Sequence, residues 1–215
     1  GEKTMHQLKI FIAGLLLSLL ASLTLSGCTG LVPASTPAPQ TWQLEAFAPA
    51  AVSASASAAI NKPASLKVLV EQPLTSSPLA STNIWYAQQA NQLTPFSNNK
   101  WTQSLDKQLQ LRLSQYLAQQ PNLATSLIDA PGFLPDLRLR LSLQDWYLDA
   151  ANSQLKISLQ LNLISSKGDS LLSKHWQEAI VLKENNAATL VAASQTWLEN
   201  WAAEVAELLL EVEVN

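Results

Sequence analysis

The sequence predicts an α+β body: a two-layer sandwich in which a mainly antiparallel β-sheet carries two amphipathic helices packed on one face. Two observations carry that expectation. Within 136–147, Leu137, Leu139, Leu141 and Leu143 alternate with Arg138, Arg140, Ser142 and Gln144. Within 153–164, Leu155, Ile157, Leu159, Leu161 and Leu163 alternate with Lys156, Ser158, Gln160 and Asn162. Period two over such lengths puts one sheet face on a core and the other in water. The second observation is a pair of stripes at spacings of three and four, one from Trp101 to Leu117 and one from Leu190 to Leu208. That repeat belongs to helices with one buried side.

The elements follow in order. Residues 41–46 alternate and read as a first strand, and 48–65, mostly Ala, Ser and Pro, read as a low-complexity loop. Residues 66–71 form the next strand, with Leu66, Val68 and Val70 inward, and Pro73 stops it. The pieces 84–87 and 93–96, separated by a Gln/Asn-rich turn, suggest a hairpin. Pro95 has no N–H to donate, which places the second arm at a sheet edge. Asn98-Asn99 reads as the cap of a helix over 100–120, with Asp106, Lys107, Gln110 and Ser114 on its polar side and Pro121 at its end. A short strand over 124–128 precedes the Pro131-Gly132 break. The two long strands are joined through Ala150-Ala151-Asn152, and Lys167-Gly168-Asp169 turns the chain into a third strand near 173–183. Asn185-Asn186 then caps a last helix over 188–211, with Leu190, Trp197, Leu198, Trp201, Val205 and Leu208 on its buried side.

The start of the chain has another character. Lys3, His6 and Lys9 precede an apolar run over 10–25 that closes on Leu25-Ser26-Gly27-Cys28. A positive start, an apolar middle and small residues at the end make a secretory signal over 1–27. Gly14, Ser18, Ser22 and Thr24 interrupt the run, which is shorter than the roughly 20 apolar residues of a spanning helix. Met5 is a better initiator than Gly1. Leu-Ser-Gly-Cys resembles the lipobox of bacterial lipoproteins, where diacylglycerol alkylates the thiol and cleavage makes the cysteine the new N-terminus. The resemblance implies lipidation at Cys28, a flexible tether over 28–40 that is rich in proline and free of charge, and a single domain over 41–215. Thr29 stands where an Asp would signal inner-membrane retention in Gram-negative lipoproteins, which implies the periplasmic face of the outer membrane.

Charged residues make up 13% of the chain, against about 25% in ordinary domains. The formal net charge of -3 argues against nucleic acid, which calls for a basic patch. With Cys28 acylated no thiol remains, so the body has neither disulfides nor thiolate chemistry. The scarcity of surface charge leaves self-association as a homo-oligomer open.

The pattern Ile84-Trp85-Tyr86, Gln92-Leu93, Phe96, Asn99-Lys100-Trp101 and Leu105, followed by the long Leu-alternating strands and a Leu/Ala/Trp-rich C-terminal helix, resembles the ABC-type transport auxiliary lipoproteins, the PqiC-like family. The resemblance runs over roughly 42–210, and the insertion at 48–65 is not part of it. It implies a non-enzymatic accessory of an intermembrane lipid-transport machine. In such a machine an ABC ATPase and permease in the inner membrane work with an MCE-domain protein that crosses the periplasm, and the lipoprotein meets its outer end. The alternatives are a lipid-binding carrier that holds an acyl chain between helices and sheet, an assembly lipoprotein for an outer-membrane barrel, or a cell-wall-associated enzyme.

Motifs for chemistry are scarce. The chain contains no Gly-x-Ser-x-Gly and no His-Glu-x-x-His, and six glycines leave little room for a phosphate-cradling loop. The body's one histidine, His175, lies between Lys174 and Trp176 and reads as a solvated strand-face residue. Asp145 and Asp149 flank Trp146-Tyr147 without a second carboxylate motif to pair with. No catalytic residue, metal or cofactor is expected. The groups suited to binding a partner are Trp85, Tyr86 and Phe96 on the hairpin and Trp146 and Tyr147 at a strand end, because aromatic side chains are enriched at interfaces. The plainer reading is that they close the sheet's edge and the mouth of the core. Arg138 and Arg140 read as a solvated strand face.

Overall fold

The structure, a computed structural model, describes residues 38–47 and 65–212. The expected signal over 1–27, Cys28 with most of the tether, and all of the 48–65 loop except Ser65 lie outside those residues. In chain order the elements are β1 (Gln40–Trp42), β2 (Leu66–Val70), β3 (Leu74–Thr75), β4 (Asn83–Gln89), β5 (Gln92–Trp101), α1 (Leu105–Ala118), β6 (Leu123–Ser126), β7 (Leu137–Asp149), β8 (Gln154–Ser165), β9 (Ser170–Val181) and α2 (Ala187–Glu211).

The two Leu-alternating stretches are β7 and β8, antiparallel from Leu137 opposite Ser165 to Asp149 opposite Gln154, and β9 continues the ladder on the far side of β8. The other edge of β7 is divided among three shorter strands, all parallel to it. β2 takes Leu137 to Leu139, β3 takes Ser142 and Leu143, and β4 takes Leu148 and Asp149. β6 extends the sheet beyond β2, while β5 and then β1 extend it beyond β4. The nine described strands form an open, mixed sheet. The antiparallel ladders, expected to make up most of the sheet, are β4–β5 and β7–β8–β9, and the other neighbours run parallel. Parallel neighbours need long crossovers, and the path from β2 through α1 to β6 supplies one.

One core joins the inward Leu, Ile and Val of β2, β7 and β8 to the apolar sides of both helices. β7 does not keep period two to its end. A register shift between Leu143 and Asp145 turns Gln144 and Asp145 both outward, so that Trp146 and Leu148 are buried and Tyr147 is not. Such a bulge reverses which face each later side chain occupies.

Around α1 the structure corrects the sequence reading. Asn98-Asn99 is no cap: β5 runs on to Trp101, held extended by its parallel pairing with β1, and Asn99 Oδ1 accepts from Trp42 Nε1 at 2.8 Å. The helix starts later, after Ser104. Nor does the side holding Asp106 and Ser114 face water. Asp106 is only 4% exposed, with Oδ2 accepting from Gln72 Nε2, and Ser114 is buried with its hydroxyl donating to Thr125 Oγ1. Gln110 is half-buried and donates to the carbonyls of Val70 and Leu127. The chain after β1 covers a further side. The N–H of Leu44 donates to Gln108 and its carbonyl accepts from Arg112, both at 2.8 Å, and Phe47 packs edge-on against Tyr116. The helix is wrapped because β2–β6 and the 43–47 segment both lie against it.

α2 begins as expected. Asn186 is its N-cap, accepting from the N–H of Thr189 at 2.9 Å. Leu190, Leu198, Trp201 and Val205 are buried, while Leu209 takes the deep position expected of Leu208, which is half-buried together with Trp197. Among the described residues no helix is long and apolar enough to cross a membrane. Because Leu141 is fully buried between β8 and the helices, Leu141→Ala should cost about 3 kcal/mol in a urea-unfolding titration. A loss below about 1 kcal/mol would mean that this face is not packed as described.

Candidate functional site

Two hairpin ends meet at one end of the sheet. Tyr86 lies opposite Leu148 and Ala87 opposite Asp149, and the N–H of Ala150 donates to the carbonyl of Ala87 at 2.8 Å. The β4–β5 connection is Ala90-Asn91, where Asn91 takes the left-handed φ of 64° that asparagine tolerates better than most residues. On the other side, Asp149 receives the backbone N–H of Asn152 at 3.2 Å and its side-chain amide at 2.9 Å. These bonds hold the Asp149 carboxyl below the usual carboxylate range, the side-chain bond most strongly.

The seam between β4 and β7 separates two surface grooves. The first, of about 490 Å³, is lined by Tyr86, Phe96, Leu148 and Asn185 among others. The Tyr86 and Phe96 rings lie 4.9 Å apart at 52°, a tilted pair that forms one wall. The second groove, of about 660 Å³, is bounded by the β4–β5 turn with Leu93 and by Asp145, Tyr147 and Asp149 of β7. Burial pushes the Tyr147 phenol above its ordinary value, and the charges of Asp145 and Asp149 push it further the same way. An aromatic amide-lined groove on one side and an acidic aromatic groove on the other can seat side chains of a second macromolecule.

The sequence-selected aromatics divide. Tyr86, Phe96 and Tyr147 line the grooves. Trp85 is half-buried beside them, and its Nε1 donates to the carbonyl of Pro78 at 2.9 Å, bracing the 76–81 turn. Trp146 lies inside at 2% exposure, donating from Nε1 to Ser194 of α2 at 3.0 Å and meeting Trp197 edge-on, so no partner reaches it. The Gln89–Asn91 corner and Asn185 went unnoticed in the sequence. Polar turn residues carry no signal of which distant turn they will meet.

Ser158 Oγ and His175 Nε2 lie 2.9 Å apart on the sheet face away from the helices, with Ser158 itself buried, and the Ser158 hydroxyl donates to Gln144 Oε1 at 2.9 Å. Its hydrogen is therefore given to an amide and not to the imidazole, the reverse of a nucleophile paired with its base. Arg138 and Arg140 are not free cations, since Arg138 pairs with Asp129 and Glu71 and Arg140 with Glu71. Among the described residues no group of His, Cys, Asp or Glu is placed to hold a metal ion.

The family model described as "ABC-type transport auxiliary lipoprotein component" matches residues 43–206, most of the chain. The chain belongs to the ABC-type transport auxiliary lipoprotein family. As an auxiliary lipoprotein it is an accessory of ABC-type transport, and the family's kind is membrane-anchored. Its fold is similar to that of a crystal structure described only as an uncharacterized protein, at 17% identity and a TM-score of 0.62, covering 80% of this chain and 99% of that one. It is equally similar to protein XCC0632 from Xanthomonas campestris, at 17% identity and a TM-score of 0.62, covering 77% of this chain and 92% of that one. Among curated proteins, none matches the chain.

The raised value of the Tyr147 phenol has a measurable consequence. Folding favours its neutral form, so the stability it contributes is complete below the ordinary tyrosine value of 10.0 and is lost as pH rises through the raised one. Tyrosinate absorbance at 295 nm should show one phenol ionising late, and Tyr147→Phe should remove that step. A late step that survives the substitution would locate the buried phenol elsewhere.

Proposed function

We propose that this auxiliary lipoprotein is anchored through a lipidated Cys28 at the periplasmic face of the outer membrane and docks an MCE-domain protein of an ABC-driven lipid-transport assembly. The observation that carries the reading is the paired grooves at the β4–β7 seam. They present Tyr86, Phe96 and Tyr147 on a rigid sheet end, within a chain whose family is auxiliary to ABC transport. Residues 28–40 would give the body reach: a dozen residues span on the order of 20 to 40 Å between coil and polyproline limits. Three acyl chains on one cysteine, as the lipobox resemblance implies, exceed the two anchoring signals that stable attachment requires. The role is non-enzymatic, because Tyr and Phe grooves recognise and position rather than transform.

A carrier role fits less well. The space between sheet and helices is taken up by Leu, Ile and Trp side chains, and the grooves lie at the surface.

Detergent-extracted full-length protein should co-purify with an MCE-domain partner and carry an acylated Cys28 by mass spectrometry. Tyr147→Ser, which removes a groove wall at the surface, should lower recovery of the partner about tenfold, the usual size for an aromatic interface anchor. Recovery of the lipoprotein alone from cells that express both proteins, or a bound phospholipid in native mass spectra, would overturn the docking role.

A further inference from the structure

The outer edge of β9 has no partner strand among the described residues, where β9 pairs with β8 alone. An exposed edge is a template for another chain, and proteins usually blunt it with proline, outward lysine or shortness. β9 is 12 residues long and contains no proline. Its one lysine does not guard the edge. Lys174 is turned onto the helical side, ion-paired with Glu204 and lying over the Trp176 ring at 5.4 Å from the centroid. Trp176 Nε1 donates to the same carboxylate at 2.9 Å. Burial pushes the Glu204 carboxyl up, but these donors outweigh it and hold the group below its ordinary value, so Lys174 stays engaged.

We propose that the edge is closed by β9 of a second copy of this chain, paired antiparallel about a two-fold axis at Trp176. The strand is self-complementary in that one register. Leu172 meets Ile180, His175 meets Gln177, Ser173 meets Ala179, and Leu171 falls beside Val181. Lys174, still paired with its own Glu204, comes opposite Glu178 of the second copy, whose carboxylate the same ammonium can share. In the single chain Val181 is 75% exposed and Leu171 39%, and the pairing covers each with the other. A register one residue off sets Lys174 against Ala179 or Gln177 and turns the two helical layers to opposite sides of the sheet. With the axis at Trp176 both helical layers share one side. A groove of about 370 Å³ opens there between Val181, Leu182 and the small α2 residues Ala192, Ala193 and Thr196. The end that carries Leu171 and Leu172 of the second copy arrives at this groove. No residue of β9 lines either docking groove, so the pairing does not depend on the docking role.

The test uses full-length protein in mild detergent, prepared with natural and with heavy nitrogen, mixed, and treated with a zero-length carbodiimide cross-linker. The expected product joins Lys174 of a light chain to Glu178 of a heavy one. The Lys174–Glu204 link within a single chain reports that the fold is intact. Glu178 is exposed and makes no ion pair among the described residues, so Glu178→Lys spares the fold and puts two lysine pairs across the axis. It should weaken dimerisation, measured by sedimentation, on the order of tenfold. A monomer at all workable concentrations, inter-chain links between other residues, a dimer indifferent to Glu178→Lys, or an edge occupied by a strand of a different protein would each overturn the proposal.

Discussion

Hydrogen bonding along both edges of β7 is the constraint from which the other features follow. One edge is bonded to β8 over its length, and the opposite edge is shared by β2, β3 and β4 in succession. No other described strand is bonded to so many neighbours. The β2–β6 wing lies against α1 because β2 is fixed at the start of β7, and the β4–β5 hairpin meets the β7–β8 turn because β4 is fixed at its end. A parallel pair of only two residues is weak by itself. The Ala150–Ala87 bond extends that seam by one more link, while the Tyr86–Phe96 contact and the Trp85–Pro78 bond fix β4 to β5 and to the turn before it. The bulge beyond Leu143 then decides the surface, sending Trp146 inward to Ser194 and Tyr147 outward to the acidic groove.

Much of this fold was legible because its pattern is local. The Leu alternation of β7 and β8 and the Asn186 cap of α2 each record a burial or capping demand within a few residues. What was not legible is set by distant partners. Asn98-Asn99 looks like a cap, yet β1, almost 60 residues earlier, keeps those residues in a strand. Asp106 and Ser114 look like a wet helix face until β6 and Gln72 arrive to bond them. The parallel joins to β7 leave no trace in period-two patterns, which are the same for either strand direction. At the candidate site Tyr86, Phe96 and Tyr147 were found as aromatics, but Trp146 was selected with them because a bulge cannot be read from alternation alone. With strict alternation, Tyr147 and not Trp146 would be inside.

The proposed docking surface and the proposed self-pairing use different parts of the sheet. Across one end, aromatic and acidic grooves are built from turns that a rigid central strand brings together, the arrangement expected of a recognition surface on a scaffold. At the other lies a long strand with an open edge and a self-matching sequence. Ser158 gives its hydroxyl hydrogen to Gln144, the arginines of the open face are paired with Glu71 and Asp129, and the Asp149 carboxylate is bonded within its own turn.

Hydrogen exchange of the full-length lipoprotein, read by mass spectrometry with and without an MCE-domain partner, tests most directly that β7 carries a docking surface at its far end. The account predicts that β7 amides exchange slowest in the free protein, from Leu137 through Leu148. Partner binding should then add protection at residues 85–96 and 145–152. Fast exchange along the β2–β4 edge of β7, or partner protection confined to other segments, would contradict it.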